Sequence, residues 1–112
     1  MQVHSQVEGY DYAEQSRNKP RSPNMMLTEK QLSELSHKLG SEWEQLVSRL
    51  GLSRNDIYKC KVENQYNIWA QIQASLIKWR NREYKQATIG RLVTELQRCE
   101  VGREVYEFLM HV

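Results

Sequence analysis

Cys60 and His37 are the residues that could do nucleophilic chemistry, a thiolate with an imidazole to take its proton. The surrounding pattern argues for packing instead. Cys60 falls on the same helical face as Ile57, no Asn or Asp motif completes a triad, and a buried cysteine is inert. Metal chemistry has no better basis: Cys60, Cys99, His4, His37 and His111 show none of the spacings of a zinc site. The five glycines never gather into a phosphate-cradling loop. Glu42 and Glu44 stand two apart, on different faces of a helix, which suits solvated first-turn carboxylates better than an acid–base couple. No catalytic residue, metal, cofactor or small-molecule substrate is expected.

Charge placement is more informative. Lys78, Arg80, Arg82 and Lys85 crowd one stretch, with Tyr84 among them and Glu83 as the only acid. Arg54, Lys59 and Lys61 form a second basic group. Acids collect at Glu29, Glu34, Glu42 and Glu44, and again at Glu100, Glu104 and Glu107. Ordinary solvated helix faces would read this way too. The sharper reading is a domain with a basic and an acidic pole that meets its neighbours head to tail. Such heterologous contacts build rings or helical stacks. Sixteen Lys+Arg against fourteen Asp+Glu leave a net charge of only +2, a weak field for nucleic acid or anionic lipid. The run Ile77-Lys78-Trp79-Arg80-Asn81-Arg82 still resembles a basic recognition helix. A small helical nucleic-acid binder is therefore the alternative, weakened because Trp79 is needed by the core.

These residues must be positioned by one modest domain, since 112 residues give no room for a core plus a deep cleft. No apolar run approaches the ~18 residues of a membrane span. Met1 to Tyr12 lack an apolar stretch, so no secretory signal is expected. Two cysteines make no disulfide framework, which points to a reducing compartment. Residues 1–26 carry scattered apolar side chains and both prolines, Pro20 and Pro23, without a period. They read as a disordered arm that cannot offset its ordering entropy.

From Leu27 the pattern turns helical. Thr28 and Gln31 make a capping box, stapled by Leu27 and Leu32, and open a helix over about 28–39 that Gly40 would close in a left-handed conformation. Ser41 with Glu44 repeats the box ahead of Trp43, Leu46, Val47 and Leu50, and Gly51 closes that helix. Ser53 with Asp56 starts a third, stapled by Leu52 and Ile57. Asn67 caps a long fourth helix with Ile68, Ile72, Leu76 and Trp79 inward, ended by the polar stretch Arg80 to Gln86. Thr88 caps a fifth through Ile89, Leu92, Val93 and Leu96, where Gly90 costs ~1 kcal/mol of propensity. A break over Glu100 to Gly102 precedes a sixth with Val105, Phe108 and Leu109. The predicted core is Leu35, Leu39, Trp43, Leu46, Leu50, Ile57, Ile72, Leu76, Trp79, Leu92 and Leu96. Trp69 suits the bundle edge as well as a partner contact. The class is all-α.

Lys38-Leu39-Gly40-x-Glu42-Trp43-x-x-Leu46, followed by Leu50-Gly51-Leu52-Ser53-x-x-Asp56-Ile57, resembles the first three helices of the death domain family. Trp79 and Ala87-Thr88-x-x-x-Leu92 are similar to its second half. Two stretches resemble the RAIDD-like adaptors of that family: Gly51 to Lys61, and Trp79-Arg80-x-Arg82-x-x-Lys85-Gln86-Ala87-Thr88. Tyr84 departs from it, standing where the family usually has glycine. The resemblance implies a six-helix antiparallel Greek-key bundle over 27–112, without catalytic activity, that binds other death domains and also itself. It implies further a PIDD-like partner, initiator caspase activation in apoptotic signalling, and a cytoplasmic or nuclear setting. The caspase-recruitment domain that precedes the death domain in such adaptors is not among these residues, so a complete chain without it would be expected to act as a decoy that occupies partners without delivering a caspase.

Overall fold

Side-chain caps open four of the six helices in the computed structural model, which describes residues 18–112. The helices are α1 (Glu29–Lys38), α2 (Trp43–Arg49), α3 (Arg54–Glu63), α4 (Ile68–Glu83), α5 (Ile89–Arg98) and α6 (Arg103–Met110). A 3₁₀ turn, Tyr84–Gln86, joins α4 to α5. The Thr28 hydroxyl accepts from the Gln31 N–H at 3.1 Å while the Gln31 side chain accepts from the Thr28 N–H at 3.0 Å. Ser53 and Asp56 exchange the same two bonds. The Asn67 and Thr88 side chains accept from the Ala70 and Arg91 N–H groups. Each satisfies a donor that a helix start leaves orphaned.

The long α4 is central, packing on α1, α2 and α3, while α6 closes on α1 and α5. The eleven predicted core residues are all buried. Tyr106 and Met110 of α6 join them, as do the serines Ser36 and Ser75. These serines are satisfied locally, donating to the carbonyls of Ser33 and Gln71 at 2.6 and 2.9 Å. The described residues contain no strand; one isolated antiparallel bridge pairs Met26 with Thr88.

Four local expectations differ from the structure. Gly51 is the described glycine with positive φ, at 112°, so Gly40 is not left-handed; the chain leaves α1 through an extended Leu39. The Ser41–Glu44 box does not form, because α2 starts only at Trp43. The Glu42 carboxylate turns back to accept from the Gly40 N–H at 2.7 Å, and Glu44 pairs instead with Lys61 of α3 at 2.8 Å. Ile68, expected to face inward, is the first residue of α4 and stays half-exposed.

The fourth difference concerns residues 18–26, assigned above to the arm. They form a strap across α5 and α6. The Ile89 and Gly90 N–H groups, at the start of α5, donate to the carbonyls of Met25 and Pro23, both at 2.9 Å. The Arg21 N–H donates to Met110 O at 2.8 Å, and the Ser22 hydroxyl to Val112 O at 2.7 Å. The Gln97 side chain donates to Asn18 O at 2.8 Å. The strap thus supplies partners to helix-end groups that no apolar pattern reveals. A Cβ at Gly90 would lie 2.9 Å from Pro23 O, so this glycine makes room for the strap backbone. Residues 1–17, including Tyr10 and Tyr12, lie outside the described residues.

Candidate interaction surface

The end of α4 and the turn after it carry the basic group, but its members do different work. Arg80 is half-buried, and its Nε donates to Leu27 O at 2.6 Å, tying α4 to the chain entering α1. Arg82 makes two bonds to Asp56, at 3.0 and 3.2 Å, so its guanidinium bridges α4 to the start of α3. Asp56 also accepts from the Ser53 N–H at 2.8 Å. The Arg82 bond above all, then the Ser53 N–H, hold its carboxyl well below the usual carboxylate range. Lys78 and Lys85 make no ion pair among the described residues, and Lys85 is exposed.

Tyr84 stands beside them at 63% exposure, with φ 54° and ψ −109°. Its N–H donates to Arg80 O and ends α4. The backbone here takes a conformation that suits glycine and forces it on a tyrosine.

The acidic group lies around the α5–α6 corner. Glu100 is exposed and turns the chain with φ 57°. Glu104 opens α6, is exposed, and lays its carboxylate over Gly102. Glu107 is already engaged, accepting from Arg103 Nε at 2.6 Å and lying 2.7 Å from His111 Nε2. These two bonds, that of His111 first, depress its pKa. The charges left to meet a neighbour are therefore Lys78, Lys85 and part of Arg82 at one pole, and Glu100 and Glu104 at the other.

Arg54 and Lys59 on α3 are exposed. Lys61 is half-buried, held by Glu44, with its Nζ 5.8 Å from the Trp43 ring centroid. A groove of about 440 Å³ runs between α2 and α3 past Arg54, Ile57, Tyr58 and Lys61, with Tyr58 mostly exposed. Cys60 is buried, whereas His37 is exposed, stacks on Trp69 at 5.3 Å and meets Ser33 O through Nδ1. Among the described residues, no group of three His, Cys, Asp or Glu could hold a metal, and no helix is long and apolar enough to cross a membrane.

Sequence reasoning left one surface half-seen. Tyr66 is fully exposed at φ 66°, and Ile68 and Trp69 are half-exposed beside a groove of about 460 Å³ over Leu39, Trp43 and Ile72. The aromatic density from Tyr66 to Trp69 was its available signal.

A family model described as Death domain matches residues 29–107. Ankyrin-1 of Homo sapiens is 34% identical over 77 residues, which are 69% of this chain and 4% of ankyrin-1. The chain thus spans about 4% of the length of this curated relative.

Proposed function

The chain belongs to the death domain family, and on that premise we propose an adaptor module whose two charged poles join it to other death domains. The protein is a homotypic interaction module, and its product is an assembly. The observation that carries the polar reading is the separation of unpaired charge: Lys78 and Lys85 beside Tyr84 at the α4–α5 corner, Glu100 and Glu104 at the α5–α6 corner. A contact between unlike corners cannot close on itself in a pair, so it propagates into rings or helical stacks. Opposed charges steer the approach and penalise wrong partners more than they add affinity. The exposed cations Arg54 and Lys59 of α3 make a third contact candidate.

The likeness of Gly51–Lys61 and Trp79–Thr88 to RAIDD-like adaptors supports a PIDD-like death domain as partner. It supports, by the same route, initiator caspase activation in apoptotic signalling in the cytoplasm or nucleus. The nucleic-acid alternative draws less support. Trp79 is buried, Arg80 is tied to Leu27, and Arg82 is bound by Asp56, so the basic run presents few groups to phosphate. Mixing the chain with candidate death domains and weighing the complexes by light scattering tests the reading. A complex with a PIDD-like domain supports it; a chain that stays monomeric with every death domain overturns it.

A further inference from the structure

Ser22 and Pro23 form the one Ser-Pro or Thr-Pro pair in the sequence, and they sit in the strap where it meets both helix ends. Ser22 is half-buried in irregular backbone, with Arg21 before it and the exposed Pro23 and Asn24 after it. Ser22 opens a surface turn over Pro23 and Asn24, closed by the Met25 N–H donating to Ser22 O at 3.2 Å, and the proline biases Ser22 itself away from helical backbone. The Ser22 hydroxyl is also a working donor, making a hydrogen bond of 2.7 Å to Val112 O just beyond the carbonyl end of α6.

We propose that Ser22 is a phosphorylation site for a proline-directed protein kinase, and that its modification releases the strap from α5 and α6. The transfer joins Ser22 Oγ to the γ-phosphorus of ATP as the bond from that phosphorus to ADP breaks. The hydroxyl proton passes to the kinase's catalytic carboxylate. The product has lost the donor that Val112 O accepted. In its place stands a group of about −1.5 to −2 charge facing the Val112 carbonyl, just beyond the negative end of α6. The His111 ring, just past the end of α6, lies 2.7 Å from the Glu107 carboxylate.

Release has a defined consequence. Pro23 O and Met25 O leave Gly90 and Ile89, which reopens the first turn of α5. The strap continues into Leu27, whose N–H donates to Ala87 O and whose carbonyl holds Arg80, so the corner bearing Tyr84 and Lys85 loosens too. This effect on assembly rests on the interaction reading of the preceding section.

The test treats the full chain with an activated mitogen-activated protein kinase and Mg-ATP, locates phosphate by mass spectrometry, and follows amide exchange. The expected result is phosphate on Ser22, none at that position in Ser22→Ala, and protection at Ile89 and Gly90 reduced roughly tenfold or more. Protection at Leu76 in α4 stays unchanged, and unmodified Ser22→Ala keeps most of its protection at Ile89 and Gly90. A chain that takes no phosphate at Ser22, or takes it and keeps full protection at those two amides, overturns the proposal. Exchange does not depend on a partner, so failure of the interaction reading would leave these results standing.

Discussion

Arg82 and Asp56 join the end of α4 to the start of α3 through two bonds of 3.0 and 3.2 Å, and Asp56 completes the capping box of α3 with its remaining capacity. Folding therefore uses a charge that the basic pole also displays. Arg82→Glu would set two carboxylates against each other at the start of α3 and lower the melting temperature as well as assembly. Lys85→Glu, at an exposed position without an ion pair among the described residues, separates the two effects.

The same pair sets a pH dependence. The Asp56 carboxyl is held below its unfolded value, so its contribution is complete above about pH 4 and is lost as pH falls further. Asp56→Asn should be less stable at pH 7 and show a shallower fall in stability below pH 4, read from urea midpoints. Curves that run parallel to the parent would show that the pair contributes nothing to folding.

Tyr84 should prefer to be glycine. Its φ of 54° and ψ of −109° are unfavourable for any side chain. Tyr84→Gly should stabilise the fold by ~1 kcal/mol, the relieved strain outweighing the entropy that glycine brings to the unfolded chain. Tyr84→Ala should not. Urea denaturation of both variants decides this, and a Tyr84→Gly less stable than the parent contradicts the strain.

Gly90→Ala sets helix propensity against a close approach. Alanine gains at most ~1 kcal/mol of helix propensity at this second position of α5, yet its Cβ would fall 2.9 Å from the backbone oxygen of Pro23, which cannot swing aside as a side chain could. The variant should be less stable than the parent, with faster exchange at Ile89. A higher melting temperature would mean that the strap gives way at little cost.

Trp43→Ala removes a ring only 3% exposed and should cost ~3–5 kcal/mol, a large share of what a domain this size possesses. Trp69→Ala, half-exposed and stacked on His37, should cost far less. Equal losses of thermal stability in the two variants would contradict the burial described for them.

Features written in side chains could be read from the sequence. Thr28 with Gln31, Ser53 with Asp56, Asn67 and Thr88 are caps with a fixed spacing, and each caps as expected. Ser41 and Glu44 have that spacing too, but Glu42 captured the Gly40 N–H and Lys61 captured Glu44, a competition between neighbours that spacing cannot rank. The strap was invisible because its hold on α5 and α6 runs mainly through backbone carbonyls and N–H groups, which every residue carries. The site followed the same division. The charged residues of both poles were evident, whereas the ties of Arg80 to Leu27, Arg82 to Asp56 and Glu107 to Arg103 depend on helix packing and side-chain reach.

The central claim is that unlike corners of neighbouring death domains meet through Lys85 on one side and Glu100 and Glu104 on the other. Its most direct test is the mass of the complex formed with a death-domain partner, measured by light scattering for the parent and for Lys85→Glu, Glu100→Lys and Glu104→Lys. The account predicts smaller or absent complexes for the variants, with melting temperatures within a few degrees of the parent, since exposed charges contribute little to folding. Parent-sized complexes in all three variants, formed with a partner that binds the parent, would contradict it.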